Sequence, residues 1–153
     1  MILLIQLIYS WASSIGGLLT TEGALLEATQ NQTYLAGCKV RLFQGPALIN
    51  YSTTHAQLLA GEATYEGYPA GGNTIAAWGN PLSLLPTGWG INSETTFAYV
   101  DAAPHTANTI VGGWIEDSTG ALVSAFNFPT PVTLNTNGNG LVLQLSPIFG
   151  RGN

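Results

Sequence analysis

Glycine, proline and asparagine break this chain into short pieces: 19 Gly and 8 Pro recur between its apolar stretches along 153 residues. Punctuation of that density leaves no long amphipathic helix to cover a parallel sheet, and it favours short antiparallel strands joined by tight turns. Charge narrows the choice further. Three basic and eight acidic side chains make up 7% of the residues, against roughly 25% in an ordinary soluble domain. Such a fold is held by apolar burial and by backbone pairing rather than by ion-pair networks.

The length suits one core, and 46% hydrophobic content is enough to fill it. The net charge of -5 and the lack of any Lys/Arg cluster argue against nucleic acid as a partner. Cys38 is the sole cysteine and sits in a strand-like run with Val40 and Leu42, so it reads as a small buried hydrophobe.

The first nineteen residues, MILLIQLIYSWASSIGGLL, are strongly apolar but lack the positive flank of an export signal. Gln6 and the Ser/Gly run weaken a membrane-spanning reading, so membrane contact is not expected. Residues 1–34 are expected to form an apolar arm or short helices, with a helix over Thr21 to Thr33, and residues 35–153 a β-sandwich domain.

Within that domain CKVRLFQ alternates as a half-buried strand. Thr54 is placed to cap a helical turn that buries Leu58 and Leu59 and ends at Gly61. The stretch ATYEGY is expected to be a strand carrying Tyr65, and NPLSLLPTGWG an irregular crossing pinned by Leu82, Leu84, Leu85 and Trp89. ETTFAYVD should bury Thr95, Phe97 and Tyr99 on one face. Ile110–Ile115 and Ala121–Phe128 form the clearest hairpin, across Glu116 to Gly120, with Pro129 and Pro131 stopping its second arm. Gly112-Gly113 within the first arm marks a bulge or a close approach of backbones. LVLQLSPIF is expected to close the fold with Leu141, Leu143 and Leu145 inward. The class is all-β, an antiparallel sandwich of jelly-roll-like type.

Chemistry-bearing groups are sparse. His55 and His105 could meet Asp101 or Glu62 in space, yet no HExxH or clustered Cys/His spacing points to a metal. Glu62 and Glu66 make a poor acid pair for glycosidic hydrolysis, because Gly61 and Gly67 mark them as ends of a strand. Asp117-Ser118-Thr119-Gly120 reads as a hairpin turn rather than a calcium loop. No GxSxG elbow is present. The triplets Asn31-Gln32-Thr33 and Asn50-Tyr51-Ser52 fit the glycosylation acceptor pattern, which recurs by chance in Asn/Thr-rich chains. No cofactor is expected. Trp11, Trp78, Trp89 and Trp114, with Tyr51, Tyr65, Tyr68 and Tyr99, read first as core and interface anchors, and second as a surface for sugars.

The segment VRLFQGPALINYSTTHAQLLAGEATYEGY, followed by IAAWGNP, TIVGGWIEDSTGALVSAFNFPTP and LVLQLSPIF, resembles small β-rich virion structural proteins of tailed bacteriophages over residues 39 to 149. The resemblance lies in packing and turns: a strand ending in Leu-Phe, Ala-Thr-Tyr-x-Gly-Tyr, a Trp followed by Pro, and a Gly-aromatic strand leading into an acidic hairpin. It implies a capsid decoration or a tail- or fibre-associated component, located in the virion and contacting other virion proteins. Tyr65, Gly67, Tyr68, Trp78, Gly113 and Trp114 carry the shared pattern; Trp11 and Trp89 join them as interface candidates. The expected function is therefore non-enzymatic self-association as a homo-oligomer. A receptor- or glycan-binding module on a virion or cell surface is the alternative. A hydrolase would require His55 or His105 to meet a carboxylate in a cleft.

Overall fold

The computed structural model describes residues 2–11, 21–75, 77–83, 89–91, 93–100, 108–134 and 140–149. Its elements run β1 (Ile2–Trp11), α1 (Thr21–Leu35), β2 (Lys39–Phe43), α2 (His55–Ala60), β3 (Asn73–Thr74), β4 (Leu82–Ser83), β5 (Trp89–Gly90), β6 (Ser93–Ala98), β7 (Asn108–Glu116), β8 (Leu122–Leu134) and β9 (Gly140–Phe149). Strands dominate, in two sheets. One has the order β3-β2-β7-β8; the other has the order β1-β9-β5-β4, with β6 also on β9. The pairings with defined registers are all antiparallel.

The chain forms two compact units, each assembled from separated stretches. The first comprises Met1–Ile5, Cys38–Thr74 and Thr95–Val142; the second comprises Gln6–Gly37, Ile75–Glu94 and Leu143–Asn153.

In the first unit β2 lies between β3 and β7, with Val40 opposite Ile115 and Leu42 opposite Gly113. Cys38, Val40 and Leu42 are fully buried, as their alternation requires, and burial pushes the Cys38 thiol up. Phe43 is also buried, because its ring packs with Leu58 and Trp114 in a cluster flanked by Ile49, Val111 and Ala125. Thr54 caps α2 in a capping box: its side chain accepts from Gln57 N, and Gln57 Oε1 accepts from Thr54 N at 2.8 Å. Six residues make under two turns, so only one leucine faces inward: Leu58 is buried, whereas Leu59 remains exposed.

The stretch ATYEGY is not a strand. Only Glu62 bridges to Phe43, and the chain then turns, with Tyr68 N donating to Tyr65 O. Gly67 holds φ +88° there, and a Cβ would fall 2.7 Å from Val100 Cγ2. The β7–β8 hairpin forms as expected, closed by Asp117 Oδ1, which accepts from Thr119 N, Thr119 Oγ1 and Ala121 N. Its second arm does not stop at the prolines, however. Ile110 pairs with Val132 and Gly112 with Asn127, so Phe128 to Pro131 lie opposite the single Val111. Pro129 and Pro131 are tolerated because they occupy this irregularity, where no ladder donor is required.

The glycines opposite are explained by proximity. A Cβ on Gly113 would lie 2.4 Å from Arg41 O, and one on Gly112 2.1 Å from Phe126 O. β6 alternates as its sequence demands, with Thr95 and Phe97 buried between exposed neighbours, and Tyr99 buried just beyond it.

In the second unit α1 buries Ala24, Ala28 and Leu35, and Trp78 Nε1 donates to Leu35 O at 2.9 Å. Gln32 Nε2 donates to the carbonyls of Trp78 and Gly79. The expected irregular crossing contains a short ladder, Leu82 opposite Gly90 and Ser83 opposite Trp89, which leaves Leu82 exposed rather than pinned. Leu84 and Leu85 lie outside the described residues. In β9, Leu143 and Leu145 are fully buried, as is Leu141 of the first unit.

Gly113→Ala is expected to cost about 1–3 kcal/mol, because the methyl group must displace the Arg41 carbonyl as well as the Phe126 ring. Urea denaturation checks this.

Candidate functional site

Scarce charge makes the placement of each ionisable group informative. Arg41 and Trp114 are direct partners across β2 and β7, and Glu116 follows two residues later on the same face of β7. Glu116 is 2% exposed. Its Oε1 accepts from Trp114 Nε1 at 2.8 Å and meets His55 Nε2 at 2.7 Å. Its Oε2 lies 3.0 Å from Arg41 Nε, an ion pair whose angle falls short of a hydrogen bond. The guanidinium also sits 5.8 Å from the centroid of the Trp114 ring.

Arg41 reaches in a second direction. Its Nη1 donates to Glu62 Oε2 at 2.9 Å. Glu62 Oε1 accepts from Tyr68 Oη at 3.0 Å and Gly71 N at 3.2 Å, and Tyr68 Oη accepts from Leu42 N. Burial pushes the phenols of Tyr65 and Tyr68 up, so Tyr68 remains a donor to Glu62. Tyr68 stacks on Phe97 and meets Tyr65 edge-on, and Tyr65 packs against Tyr99.

Burial alone would raise the Glu116 carboxyl. Hydrogen bonds from Trp114 and His55, together with the positive charge of Arg41, outweigh it and hold the group below the usual range. The geometry therefore favours an ionised, stationary carboxylate.

His55 meets a carboxylate, as a hydrolase would require, but the partner is Glu116 rather than Glu62. Asp101 and His105 lie outside the described residues. Among the described residues no hydroxyl or thiol is hydrogen-bonded to the His55 ring. Two clefts among the described residues, one of about 390 Å³ lined by Phe43, Leu48 and Gln57 and one of about 400 Å³ lined by Leu59, Glu62 and Tyr68, are lined by neither His55 nor Glu116. Glu66 is exposed and takes no part. No three His, Cys, Asp or Glu side chains among the described residues are grouped to hold a metal ion. What the cluster can do is join β2, β7, α2 and the 62–71 turn.

The expected site residues are thus distributed. Tyr65, Gly67, Tyr68, Gly113 and Trp114 belong to the first unit, where Tyr68 and Trp114 enter the network directly. Trp78 anchors α1 in the second unit. Trp11 and Trp89 stand in β1 and β5, with side chains outside the described set. Arg41 and Glu116 were missed as site residues; the signal available was an Arg alternating with apolar residues in one strand and a Glu ending another Trp-bearing strand.

A different feature lies at the loop before α2. Asn50 Oδ1 accepts from Ser52 N and Ser52 Oγ, Thr53 Oγ1 accepts from Asn50 N, and Asn127 clamps Ile49 through both its backbone groups at 2.8 Å. This fixed loop holds Tyr51 fully exposed and Leu48 57% exposed. No protein-family model, curated protein or solved structure matches the chain.

Glu116→Gln is expected to destabilise the fold by about 3 kcal/mol at neutral pH, since it removes one charge of a buried pair. The folded-state carboxyl titrates below its unfolded value, so its contribution is present above the ordinary glutamate range and is lost as pH falls toward the folded value. The gap between wild type and variant, measured by urea denaturation, should therefore narrow from pH 7 to pH 3.

Proposed function

We propose that this chain is a non-enzymatic structural protein that works by self-association, as a capsid decoration or a tail- or fibre-associated component of a virion. The observation that carries the reading is α1. It buries Ala24, Ala28 and Leu35 along one stripe, yet Leu25, Leu26 and Tyr34 are 37%, 58% and 53% exposed on the remainder. A helix apolar on more than one side is suited to a second apolar neighbour.

Two further observations support it. Arg41, Glu62, His55 and Glu116 close on one another, which takes one of only three basic side chains into the fold and leaves a surface of low charge. Surfaces of that kind can be covered without stranding unpaired charges. The resemblance of residues 39–149 to phage structural proteins supplies the virion setting. A jelly-roll-like sandwich belongs to the same proposal and is supported by antiparallel strands with alternating burial, as in β6. Among the described residues no helix is long and apolar enough to cross a membrane.

Receptor or glycan binding is the second reading, favoured by the uncovered ring of Tyr51.

Sedimentation velocity of the full chain is expected to show a concentration-dependent oligomer. Leu26→Ser should weaken it while leaving the thermal unfolding midpoint within about 3 °C, because the side chain is more than half exposed. A wild-type monomer at every concentration would contradict the reading. Mass spectrometry of virus particles from the source of the sequence should recover the chain at fixed stoichiometry.

A further inference from the structure

We infer that residues 45–53 form a strap, pinned at both ends and latched in the middle by the Asn127 side chain, which opens as a unit from the Phe43–Leu58–Trp114 cluster while its sheet stays folded. Ile49 N donates to Asn127 Oδ1 at 2.8 Å, and Asn127 Nδ2 donates to Ile49 O at 2.8 Å. An asparagine side chain carries an acceptor and a donor on one planar amide, so it can pair with both backbone groups of a single residue as a neighbouring strand would. The stretch belongs to no strand or helix, and Asn127 stands in for a strand partner.

Among the described residues, every other hydrogen bond within the strap is internal to it. Asn50 Oδ1 accepts from Ser52 N and Ser52 Oγ, Thr53 Oγ1 accepts from Asn50 N, and Thr53 N donates to Asn50 O. The 50–53 turn can therefore move without breaking its own bonds. The anchors lie just outside. Gln44 N donates to Gly61 O at 2.8 Å and the Gln44 side chain pairs with Thr64, while the Thr54–Gln57 capping box holds the other end.

Packing agrees with this division. Ile49 is the strap residue that packs on the buried cluster, whereas residues 46–48 and 50–52 are exposed. Segments with few buried apolar contacts and few bonds to the body of the fold are those that open locally at low free energy. The strap also has room. A cleft of about 390 Å³ is lined in part by Pro46, Leu48 and Ser52 and in part by Phe43, Gln57 and Ala60, where a close-packed interior would leave no space for motion.

Asn127 is itself exposed, in β8 opposite Gly112 where the ladder turns irregular, so the latch can be removed without opening a cavity in the core. Leu48 and Tyr51, the uncovered apolar side chains of the strap, move with it, which makes Asn127 the positioning residue for both. The device belongs to the single chain and does not depend on self-association.

The test is hydrogen–deuterium exchange of the full chain, read by mass spectrometry, with wild type beside Asn127→Ala, Asn127→Asp and Thr130→Ala. In wild type the strap should already exchange ahead of β2 and β7. Removing both hydrogen bonds in Asn127→Ala should speed exchange across residues 47–53 by about 10-fold or more. Asn127→Asp matches asparagine in shape and keeps an acceptor for Ile49 N but loses the donor to Ile49 O, and should speed the strap by roughly 3-fold or more. Thr130→Ala, an exposed change in the same arm of β8, should leave the strap within about 2-fold of wild type. The β2 and β7 amides should keep their wild-type rates in all three variants. Unchanged strap exchange in both Asn127 variants would overturn the latch. Acceleration by alanine but not by aspartate would also overturn it, because packing alone would then explain the residue. Acceleration of the strap, β2 and β7 together would show that the stretch opens only with the whole sheet, and would overturn the strap as a separate unit.

Discussion

The first unit is organised around one buried negative charge. Glu116 brings a carboxylate into a nearly solvent-free position, which is tolerable only because Trp114, His55 and Arg41 converge on it. Each partner comes at a structural cost elsewhere. Arg41 must lie directly across from Trp114, which fixes the β2–β7 register, and His55 must project from the first residue of α2, which the Thr54 cap positions. Glu62 then balances the far side of Arg41 and draws in Tyr68 and the Gly71 amide.

This arrangement explains why the glycines of β7 sit where they do. With Trp114 committed to the network, the adjacent Gly113 lets the Arg41 carbonyl and the Phe126 ring approach closely, and Gly112 admits the Phe126 carbonyl. The prolines fall where the ladder has already lost its regular spacing.

Much of this was legible in the residues, and the exceptions are instructive. Alternation located β2, β6 and β9, because period-two burial is a local property that survives into the fold, and the polar connection ending in Gly120 located the hairpin. The Thr54 cap was readable for the same reason. The Pro129/Pro131 stop was misplaced because a bulge, a cross-strand feature, removes the donor requirement that a single strand's sequence imposes. ATYEGY was misread because alternation of small and aromatic residues also suits a turn in which Tyr65 and Tyr68 face an aromatic cluster with Phe97 and Tyr99. The Arg41–Glu116–His55 cluster joins residues 75 positions apart in the chain, from 41 to 116, so the local pattern that marks Arg41 and Glu116 on their own strands does not pair them.

A chain that draws Arg41, Glu62 and Glu116 inward has few charges left with which to meet anything. The fold consumes charge, and the proposed joining surfaces are apolar. The salt dependence of self-association tests this most directly. Raising salt toward 1 M shortens the screening length to about 3 Å, so an apolar contact predicts an unchanged or strengthened oligomer. An oligomer that falls apart progressively as salt rises would show that charge pairs join the copies, and would contradict the claim.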